Sequence, residues 1–430
     1  MSGKQLTLKK NKQPFYIIIL LILSGEAVFI LPFVLARIFR PTYLEVFDIN
    51  NLELGICFSF YGVVALFSYV LGGSLADKFH PRYLISLSLV LTAFGGMYLS
   101  TYPDYTNLKY LFGYWGFTTI FLLWAAMIKA TRIWGGPKKQ GAAFGFLDGG
   151  RGLVSAGFGS IGVLIFSLFI NTEITATTLI ERKEAFMYVI LFASTIIIFI
   201  GILVFYFLKF PQDDDLNSDS QKASLFTIAN FKQLMKIPSV WLLMIIILCA
   251  YVGYKTTDIF SLYAKEVMGY NEIESAKIGT YLLYLRPFIG ITFGLLADRT
   301  KASLWLIIGF LLTLIASFVF ATGIIDSQTI SLFFLSIILI AIGVYSLRVL
   351  YFATMQEGKI PIALTGTAVG FISLVGYTPD IFSSLITGAL LDNSPGKLGH
   401  QHVFLVLSGF AFIGLITSII FYKISNKTTN

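Results

Sequence analysis

The stretch 73–78 decides the fold: it reads Gly-Ser-Leu-Ala-Asp-Lys, and nearly the same residues return at 294–299 as Gly-Leu-Leu-Ala-Asp-Arg. The two copies are 221 residues apart, and each ends a long apolar run. A second pair repeats at almost the same distance, since 141–146 reads Gly-Ala-Ala-Phe-Gly-Phe and 366–371 reads Gly-Thr-Ala-Val-Gly-Phe. Two matches at nearly one offset indicate a duplication, in which the second half of the chain repeats the first.

The composition places most of the chain in a membrane. Hydrophobic residues make up 56% of the 430 residues and charged residues 13%, and the mean hydropathy is +0.80. Soluble domains contain about 25% charged residues, whereas lipid accepts apolar side chains on every face of a helix. Twelve apolar runs are long enough to cross a hydrocarbon core of about 30 Å. They lie at 14–37, 53–76, 83–101, 108–131, 141–169, 185–208, 238–261, 276–298, 302–323, 329–352, 363–391 and 403–422.

The polar stretch 209–237 divides these runs into two sets of six. We predict an all-α membrane protein of two pseudo-symmetric six-helix bundles: an N-terminal bundle at 1–208, a linker at 209–237 and a C-terminal bundle at 238–430. Nineteen Lys and Arg residues fall on the side of the N-terminus and eight on the opposite side. The positive-inside rule therefore predicts that both termini and the linker are cytoplasmic. The net charge of +8 then reflects topology and not a nucleic-acid partner.

The repeated motif resembles the loop signature of the major facilitator superfamily, which follows the second helix and reads roughly Gly-x-Leu-Ala-Asp-Arg/Lys-x-Gly-Arg-Arg/Lys. The first copy departs from it at His80 and Pro81 and fits again at Arg82. The resemblance covers essentially the whole chain and implies a twelve-helix transporter that opens alternately to either side of the membrane. The ends of the two copies are predicted gating residues: Asp77, Lys78, Asp298 and Arg299.

Three further stretches resemble a narrower bacterial branch, the YihN-type proteins, which are loosely grouped with sugar-phosphate and nitrate/nitrite permeases. These stretches are 25–32, 134–152 and 357–380. The glycine-asparagine signature of nitrate permeases is not evident, which disfavours nitrate. The resemblance implies transport of a small solute and leaves the substrate open.

Charged side chains within the spans indicate where a substrate binds, because each is costly in lipid unless a partner or water compensates it. Four are acidic and four basic, so the predicted interior is formally neutral; they are Glu26, Asp148, Arg151, Lys255, Asp258, Arg286, Arg348 and Asp380. At 1.5 Å per helical residue, Glu26, Arg151 and Arg286 lie near the middle of the bilayer.

Four of these charges form two pairs of neighbours on the same helix. Asp148 with Arg151, and Lys255 with Asp258, have the i,i+3 spacing of an intrahelical ion pair, and for both pairs a structural role and a substrate role stay open. Arg348 lies close enough to the inner surface for its side chain to reach the headgroups.

We predict that the site binds a small organic anion or zwitterion. Arg151 and Arg286, one from each half, would clamp a carboxylate or phosphate, because a guanidinium presents a planar fork of donors. Glu26 and Asp380 would bind a counter-charge or a proton. Since His80, His400 and His402 are all predicted outside the spans, a proton-coupled symporter needs a carboxylate. Glu26 is either that protonatable group, in apolar surroundings without a cation, or the cross-helix partner of an arginine.

The predicted function is secondary active transport by a monomer in the cell (inner) membrane, with a small molecule and the lipid bilayer as partners. We find no Ser-His arrangement, metal-ligand spacing or Walker loop, and therefore expect no enzyme activity, cofactor or metal. An exporter of multiple drugs or metabolites is the alternative within transporters, although paired arginines repel lipophilic cations. A non-transporting membrane sensor is the other alternative, and it would normally carry a large soluble extension.

Overall fold

The computed structural model describes residues 14–135, 140–170, 178–209, 232, 234–351, 353–355, 357–360 and 365–427, and for some residues in these ranges only the backbone. Every regular element in these ranges is helical. Most of the predicted linker, 210–231, lies outside the described residues. The boundaries at 208 and 238 therefore stay a prediction, although they fall beside the end of one long helix and the start of the next.

Within the described ranges, twelve helices are long and apolar enough to cross a membrane, which confirms the predicted fold class. We label them α1 Phe15–Ile38, α2 Asn51–Lys78, α3 Pro81–Leu99, α4 Tyr105–Gly135, α5 Gln140–Phe169, α6 Leu179–Phe207, α7 Pro238–Glu266, α8 Glu272–Arg299, α9 Ala302–Ala321, α10 Ile330–Leu350, α11 (segments Thr365–Gly376 and Pro379–Asn393) and α12 Lys397–Lys427. Odd-numbered helices begin at the face of Phe15, the terminal face. Even-numbered helices begin at the opposite face, the distal face.

Polar residues start several of the helices that begin at the distal face. Asn50, Thr178 and Asn271 each form a capping box at the start of α2, α6 and α8, in which the cap side chain and a glutamate three residues later satisfy each other's backbone N–H groups. These reciprocal bonds supply partners that the first turn of a helix lacks. The distal starts of these helices are therefore encoded locally.

The buried apolar residues form separate cores in the two halves. The first core runs from Ile17 to Leu208 and takes in Ala276 and Leu283 of α8. Two further clusters fill the second half, between Leu234 and Phe421. This division, with few apolar residues shared between the halves, is what two six-helix bundles around a polar centre require.

Several helices depart from the predicted runs or from regular α-helical geometry. α1 contains a π-helical turn at Ile30–Val34, around Pro32. α11 is interrupted between Gly376 and Pro379. α12 begins at Lys397 instead of 403, so His400 and His402 lie in its first two turns, at the distal end of the helix. His400 is buried, and its Nε2 lies 2.9 Å from Glu266 Oε2.

Contacts between the halves close the distal face. Lys265 Nζ lies 2.5 Å from Glu45 Oε1, and Arg182 Nη1 lies 3.2 Å from Glu272 Oε1. The carboxylate of Asp392 accepts hydrogen bonds from the backbone N–H groups at the start of α2. Each of these contacts joins a residue of the first half to one of the second.

Toward the terminal face, α5 and α8 separate. A Cβ on Gly152 would meet Arg286 and Pro287 of α8, whereas one on Gly145, Gly149 or Gly294 would meet nothing within 4 Å. The two halves are thus closed at the distal face, and α5 and α8 diverge toward the terminal face.

Candidate functional site

Five charged side chains from four helices meet between the two halves, and we call them the central cluster. They are Glu26 of α1, Asp148 and Arg151 of α5, Arg286 of α8 and Arg348 of α10. Three of the predicted site residues, Glu26, Arg151 and Arg286, are therefore brought together, and Asp380 is not among them. The cluster joins the halves, since α1 and α5 belong to the first and α8 and α10 to the second.

Glu26 is partnered across helices. Its carboxylate lies 3.0 Å from Arg151 Nε and 3.7 Å from Arg286 Nη1, and its side chain is 3% exposed. The alternative of a carboxylate in apolar surroundings without a nearby cation was wrong, because two arginines from other helices reach it. Arg151 also lies over the rings of Phe29 and Trp124, at 5.4 and 5.9 Å from their centroids. These aromatic faces stabilise the guanidinium where lipid-like surroundings would not.

Close packing of α5 and α8 brings Arg286 to Asp148. Gly152 has no side chain, and a Cβ there would lie 3.0 Å from Pro287 Cδ and 3.2 Å from Arg286 Cβ. At this approach Arg286 Nη2 donates a hydrogen bond of 2.9 Å to Asp148 Oδ1. Asp148 is also 3.9 Å from Arg151, its predicted partner one turn away, but the shorter contact is to the other half.

Arg348 belongs to the central cluster, which the sequence interpretation missed. We expected its side chain to reach the membrane surface, and that was wrong. Its guanidinium carbon lies 3.8 Å from the centroid of the Tyr254 ring, and its Nε lies 4.0 Å from Asp148 Oδ1. The Tyr254 ring and the Asp148 carboxylate attract the guanidinium, and they hold it in the interior although the lipid headgroups are also within reach of the side chain. Tyr254 lies on another helix, so its contact with Arg348 could not be predicted from the local sequence around Arg348.

Lys255 and Asp258 do not pair with each other. Lys255 Nζ lies 3.3 Å from Asp380 Oδ1, and Asp258 Oδ1 lies 2.5 Å from Arg37 Nε. The predicted i,i+3 pair is absent because each side chain pairs with a residue of another helix, Lys255 with Asp380 of α11 and Asp258 with Arg37 of α1. Asp380 also accepts a hydrogen bond of 3.0 Å from the Tyr251 hydroxyl.

Arg37 changes the charge balance of the interior. Its residue is 3% exposed, and it joins α1 to α7 through Asp258 and lies over Tyr254 at 4.9 Å. The expectation of four acidic and four basic interior charges was therefore wrong, because it left out Arg37, the last residue of the predicted first span 14–37. Among the described helices, the buried arginines and lysines are Arg37, Arg40, Arg151, Lys255 and Arg286, and the buried carboxylates are Glu26, Asp258 and Asp380, while Arg348 and Asp148 are partly exposed.

Tyrosines line the region between the central cluster and the Lys255–Asp380 pair. Tyr254 stacks with Tyr251 at 5.7 Å, and Tyr251 meets Tyr377 edge to face at 4.8 Å. Tyr377 in turn stacks with Tyr69 of the first half at 6.3 Å, and its hydroxyl lies 3.0 Å from that of Tyr351. We call these five residues the tyrosine wall. Rings with hydroxyl groups suit a ligand that has both flat surfaces and hydrogen-bonding groups.

The predicted gating residues lie far from this site, at the terminal ends of α2 and α8. The side chains of Asp77, Lys78 and Asp298 are outside the described residues, and Arg299 is exposed. At the end of α2, Lys129 Nζ donates to the carbonyl of Ala76 at 2.9 Å.

In the described parts of the chain, no group of three or more His, Cys, Asp or Glu is placed to hold a metal ion.

Known proteins resemble this chain over nearly its full length. A family model described as "Major Facilitator Superfamily" matches residues 16–384. The inner membrane protein YqcE of Escherichia coli (strain K12) is 26% identical over 93% of both chains. The inner membrane protein YihN of the same organism is 25% identical over 96% of both chains.

Solved structures share the arrangement of the helices. A bacterial homologue of the human lysosomal transporter Spinster, in an inward-facing and unoccupied conformation, has a TM-score of 0.70 at 15% identity, and covers 96% of this chain and 97% of its own. A mutant of the nucleoside transporter NupG has a TM-score of 0.65 at 14% identity, and covers 94% of this chain and 100% of its own. At such identities the likeness is one of fold.

Proposed function

Because the chain belongs to the Major Facilitator Superfamily, we propose that this transporter carries a small organic anion or zwitterion, with Arg151 and Arg286 as the anion-binding pair. The observation that carries the proposal is the pair itself. Arg151 and Arg286 come from opposite halves, and their side chains are 7% and 2% exposed. Both contact Glu26, so the site joins the two bundles that move in alternating access.

The substrate class follows from the chemistry of these donors. A guanidinium forms paired hydrogen bonds with a carboxylate, a phosphate or a similar planar or tetrahedral anion. Arg286 Nε and Nη1 are buried and have no hydrogen-bond partner among the described residues, so donors remain for a ligand. Lipophilic cations would be repelled by three arginines around two carboxylates, which disfavours multidrug export.

We propose that the terminal face is cytoplasmic, from the excess of Lys and Arg on that side. The chain would then lie in the inner membrane, as its relatives' names state for them, and work as a monomer. The conformation closed at the distal face would be the one open to the cytoplasm. Asp77, Lys78, Asp298 and Arg299 would form the opposite gate, which joins the halves at the terminal face when the distal face opens.

Proton coupling is proposed to involve a carboxylate, with Glu26 and Asp380 as the two candidates. Their surroundings differ, because Glu26 contacts two arginines and Asp380 contacts Lys255 and a tyrosine hydroxyl. A symporter of this kind binds the proton and the substrate in the same cycle. Asp380 is the stronger candidate, since a single lysine and a tyrosine hold it outside the arginine cluster.

The anion pair is tested by removing each guanidinium. A thermal-shift screen against amino acids, hydroxy acids and sugar phosphates first finds a ligand, because a molecule that binds the folded state raises its apparent stability. We expect Arg286→Ala and Arg151→Ala to lose binding of that ligand by about 100-fold or more, since a charged hydrogen bond is worth about 1.5–3 kcal/mol and each arginine supplies several. Arg286→Lys should recover part of the affinity, because the charge returns without the fork.

Lys397→Ala is the matched control, because this cation is 40% exposed at the distal face and pairs with Asp326 within the same half. It should bind the ligand like the wild type. Normal binding and transport by both alanine variants would show that the two arginines only stabilise the fold.

A further inference from the structure

Arg348 adds a third cation to the proposed anion site. Its guanidinium stacks on Tyr254, and its Nε lies 4.0 Å from a carboxylate oxygen of Asp148. Its Nη1 is buried and has no hydrogen-bond partner in the described part of the chain. Arg286 is in a similar position, with Nε and Nη1 buried and unpartnered and 2% of its side chain exposed. Both arginines therefore retain donor atoms without a hydrogen-bond acceptor among the described residues, and another nitrogen of each lies within 4.0 Å of Asp148.

Asp148 lies where the three arginines converge. One oxygen, Oδ1, is 2.9 Å from Arg286 Nη2, 3.9 Å from Arg151 Nη1 and 4.0 Å from Arg348 Nε. Its side chain is 28% exposed, whereas that of Glu26 is 3% exposed. Glu26 is thus the enclosed counter-charge of the cluster, and Asp148 is the carboxylate that lies within reach of the space between the halves.

The central cluster has one positive charge more than its carboxylates neutralise. It holds three arginines and two carboxylates, and the neighbouring pairs Lys255–Asp380 and Arg37–Asp258 are each neutral. A buried excess charge is unfavourable in a low-dielectric interior, so a ligand of charge −1 is stabilised there more than a neutral one. A ligand of charge −2 would give the cluster and ligand together a net negative charge.

We infer that Asp148 occupies, in this conformation, the position that the anionic group of the substrate takes among Arg151, Arg286 and Arg348, and that the site is matched to a monoanion. The inference rests on the proposed function and adds the third arginine, the resident carboxylate and the substrate's charge. When a substrate binds Arg286 and Arg348, Asp148 remains one helical turn from Arg151 and pairs with it there. The substrate carboxylate then takes the place of Asp148 at Arg286 and Arg348, and Asp148 pairs with Arg151. Both carboxylates therefore keep a cationic partner.

The tyrosine wall indicates the rest of the substrate. It begins at Tyr254, against Arg348, and continues through Tyr251 and Tyr377 across the space between the halves. Rings and hydroxyl groups next to the arginines favour a monoanion whose body carries hydroxyl groups. Gluconate is a suitable probe, because sorbitol and glucarate have the same six-carbon hydroxylated chain with charges of 0 and −2.

The experiment measures binding of these three probes, by calorimetry, to four forms of the purified protein. The cluster charge is +1 in the wild type, +2 in Asp148→Asn, zero in Arg348→Gln and +1 again in the double variant. We expect the wild type to prefer gluconate over glucarate by about tenfold or more, and Asp148→Asn to reverse the preference. Arg348→Gln should lose gluconate affinity by a similar factor, and Asp148→Asn/Arg348→Gln should recover the preference for gluconate. Sorbitol should bind weakly to all four forms.

Asp326→Asn is the control, because it neutralises a carboxylate of the distal face outside the cluster, and it should leave all three affinities unchanged. Melting curves establish that each variant is folded. If a single variant does not fold, the double variant still tests the inference at the wild-type charge. An unchanged preference in Asp148→Asn, or a wild type that binds no gluconate at about 10 mM, a concentration typical of weak ligands, overturns the inference. In either case, loss of another anionic ligand in Arg286→Ala would leave the proposed function standing.

Discussion

Glu26 lies between arginines from two other helices, and this position determines what its carboxylate contributes. Arg151 Nε is 3.0 Å and Arg286 Nη1 is 3.7 Å from it, and the side chain is 3% exposed. Removing one member of a buried ion pair leaves the partner's charge without compensation, which typically destabilises a protein by about 3–5 kcal/mol. Glu26 therefore holds α1 against α5 and α8 through charge as well as through packing.

We expect Glu26→Gln to lower the melting temperature of the purified protein, because Asp148 would then be the one carboxylate left in the central cluster for three arginines. The double variant Glu26→Gln/Arg151→Gln should recover part of that loss, since it removes a charge that the single variant leaves unpaired. Melting temperatures of the wild type, both single variants and the double variant form the thermodynamic cycle that measures the coupling.

Asp380→Asn is the matched comparison for proton coupling, because its carboxylate contacts Lys255 and Tyr251 instead of the arginines. If Asp380 carries the proton, this variant loses uptake driven by a pH gradient in proteoliposomes and retains substrate exchange. A Glu26→Gln protein that melts like the wild type and no longer responds to the gradient would instead assign the coupling to Glu26.

The sequence located these charges but not their partners. Glu26, Arg151 and Arg286 were recognised as deep because depth follows from counting residues along an apolar run. Arg348 was assigned to the surface, and Lys255 was given a partner on its own helix, because the alternatives, Tyr254 and Asp380, come from other helices. Contacts between helices depend on how the helices pack, and the spacing of residues along one helix does not determine that packing.

At the scale of helices, glycines set how closely the two halves meet. Gly55 and Gly62 of α2 face the backbone of the second segment of α11, and Gly388 of α11 faces the start of α2. Small residues let helix backbones approach, and this is the usual way in which membrane helices associate. The same contact places Asp380, in the first turn of that segment of α11, against α2.

We expect Gly62→Val to shift the protein away from the conformation closed at the distal face. A Cβ at this position would lie 2.8 Å from the carbonyl carbon and oxygen of Asp380, and backbone atoms cannot move aside as a flexible side chain would. Spin labels at Glu184, in the second turn of α6, and at Ser327, in the loop before α10, should therefore report a longer distance in the variant. Gly409→Val is the control, since its Cβ would meet nothing within 4 Å. Equal distances in the two variants would contradict the role of Gly62.

The number of spanning helices was predictable from the sequence, and their ends and interruptions were less so. Twelve apolar runs became twelve helices because spanning length is a property of each run alone. The π turn around Pro32 and the interruption before Pro379 occur where proline removes a backbone donor, but their form depends on neighbours. α12 starts six residues early because Lys397–His402, although polar, packs at the distal face, with His400 against Glu266.

At the scale of the whole molecule, closure of the distal face depends on polar contacts between residues far apart in sequence. Glu45, Arg182, Lys265 and Glu272 form an ion network that joins the halves near the surface. Deeper in the protein, Arg37 pairs with Asp258 and also lies over the Tyr254 ring. The guanidinium carbon of Arg348 lies 3.8 Å from the centroid of the same ring. Tyr254 thus contacts both the central cluster and the distal closure, so a ligand that draws Arg348 away from the ring acts on both.

Asp392 provides the sharpest test of the distal closure, because it joins α11 to α2 through the start of a helix. Its carboxylate accepts from the Asn51 and Leu52 backbone N–H groups, at 3.1 and 2.5 Å. A carboxylate at a helix N-terminus contributes about 1–2 kcal/mol in a partly buried position, which corresponds to a factor of about 5–30 in the ratio of two states. We expect Asp392→Asn to reduce the closed population by that factor, seen as a longer component in the distance between labels at Glu184 and Ser327. Asp104→Asn is the matched control, because Asp104 caps α4 within one half, and a similar change in that variant would mean that the loss of any distal cap opens this face.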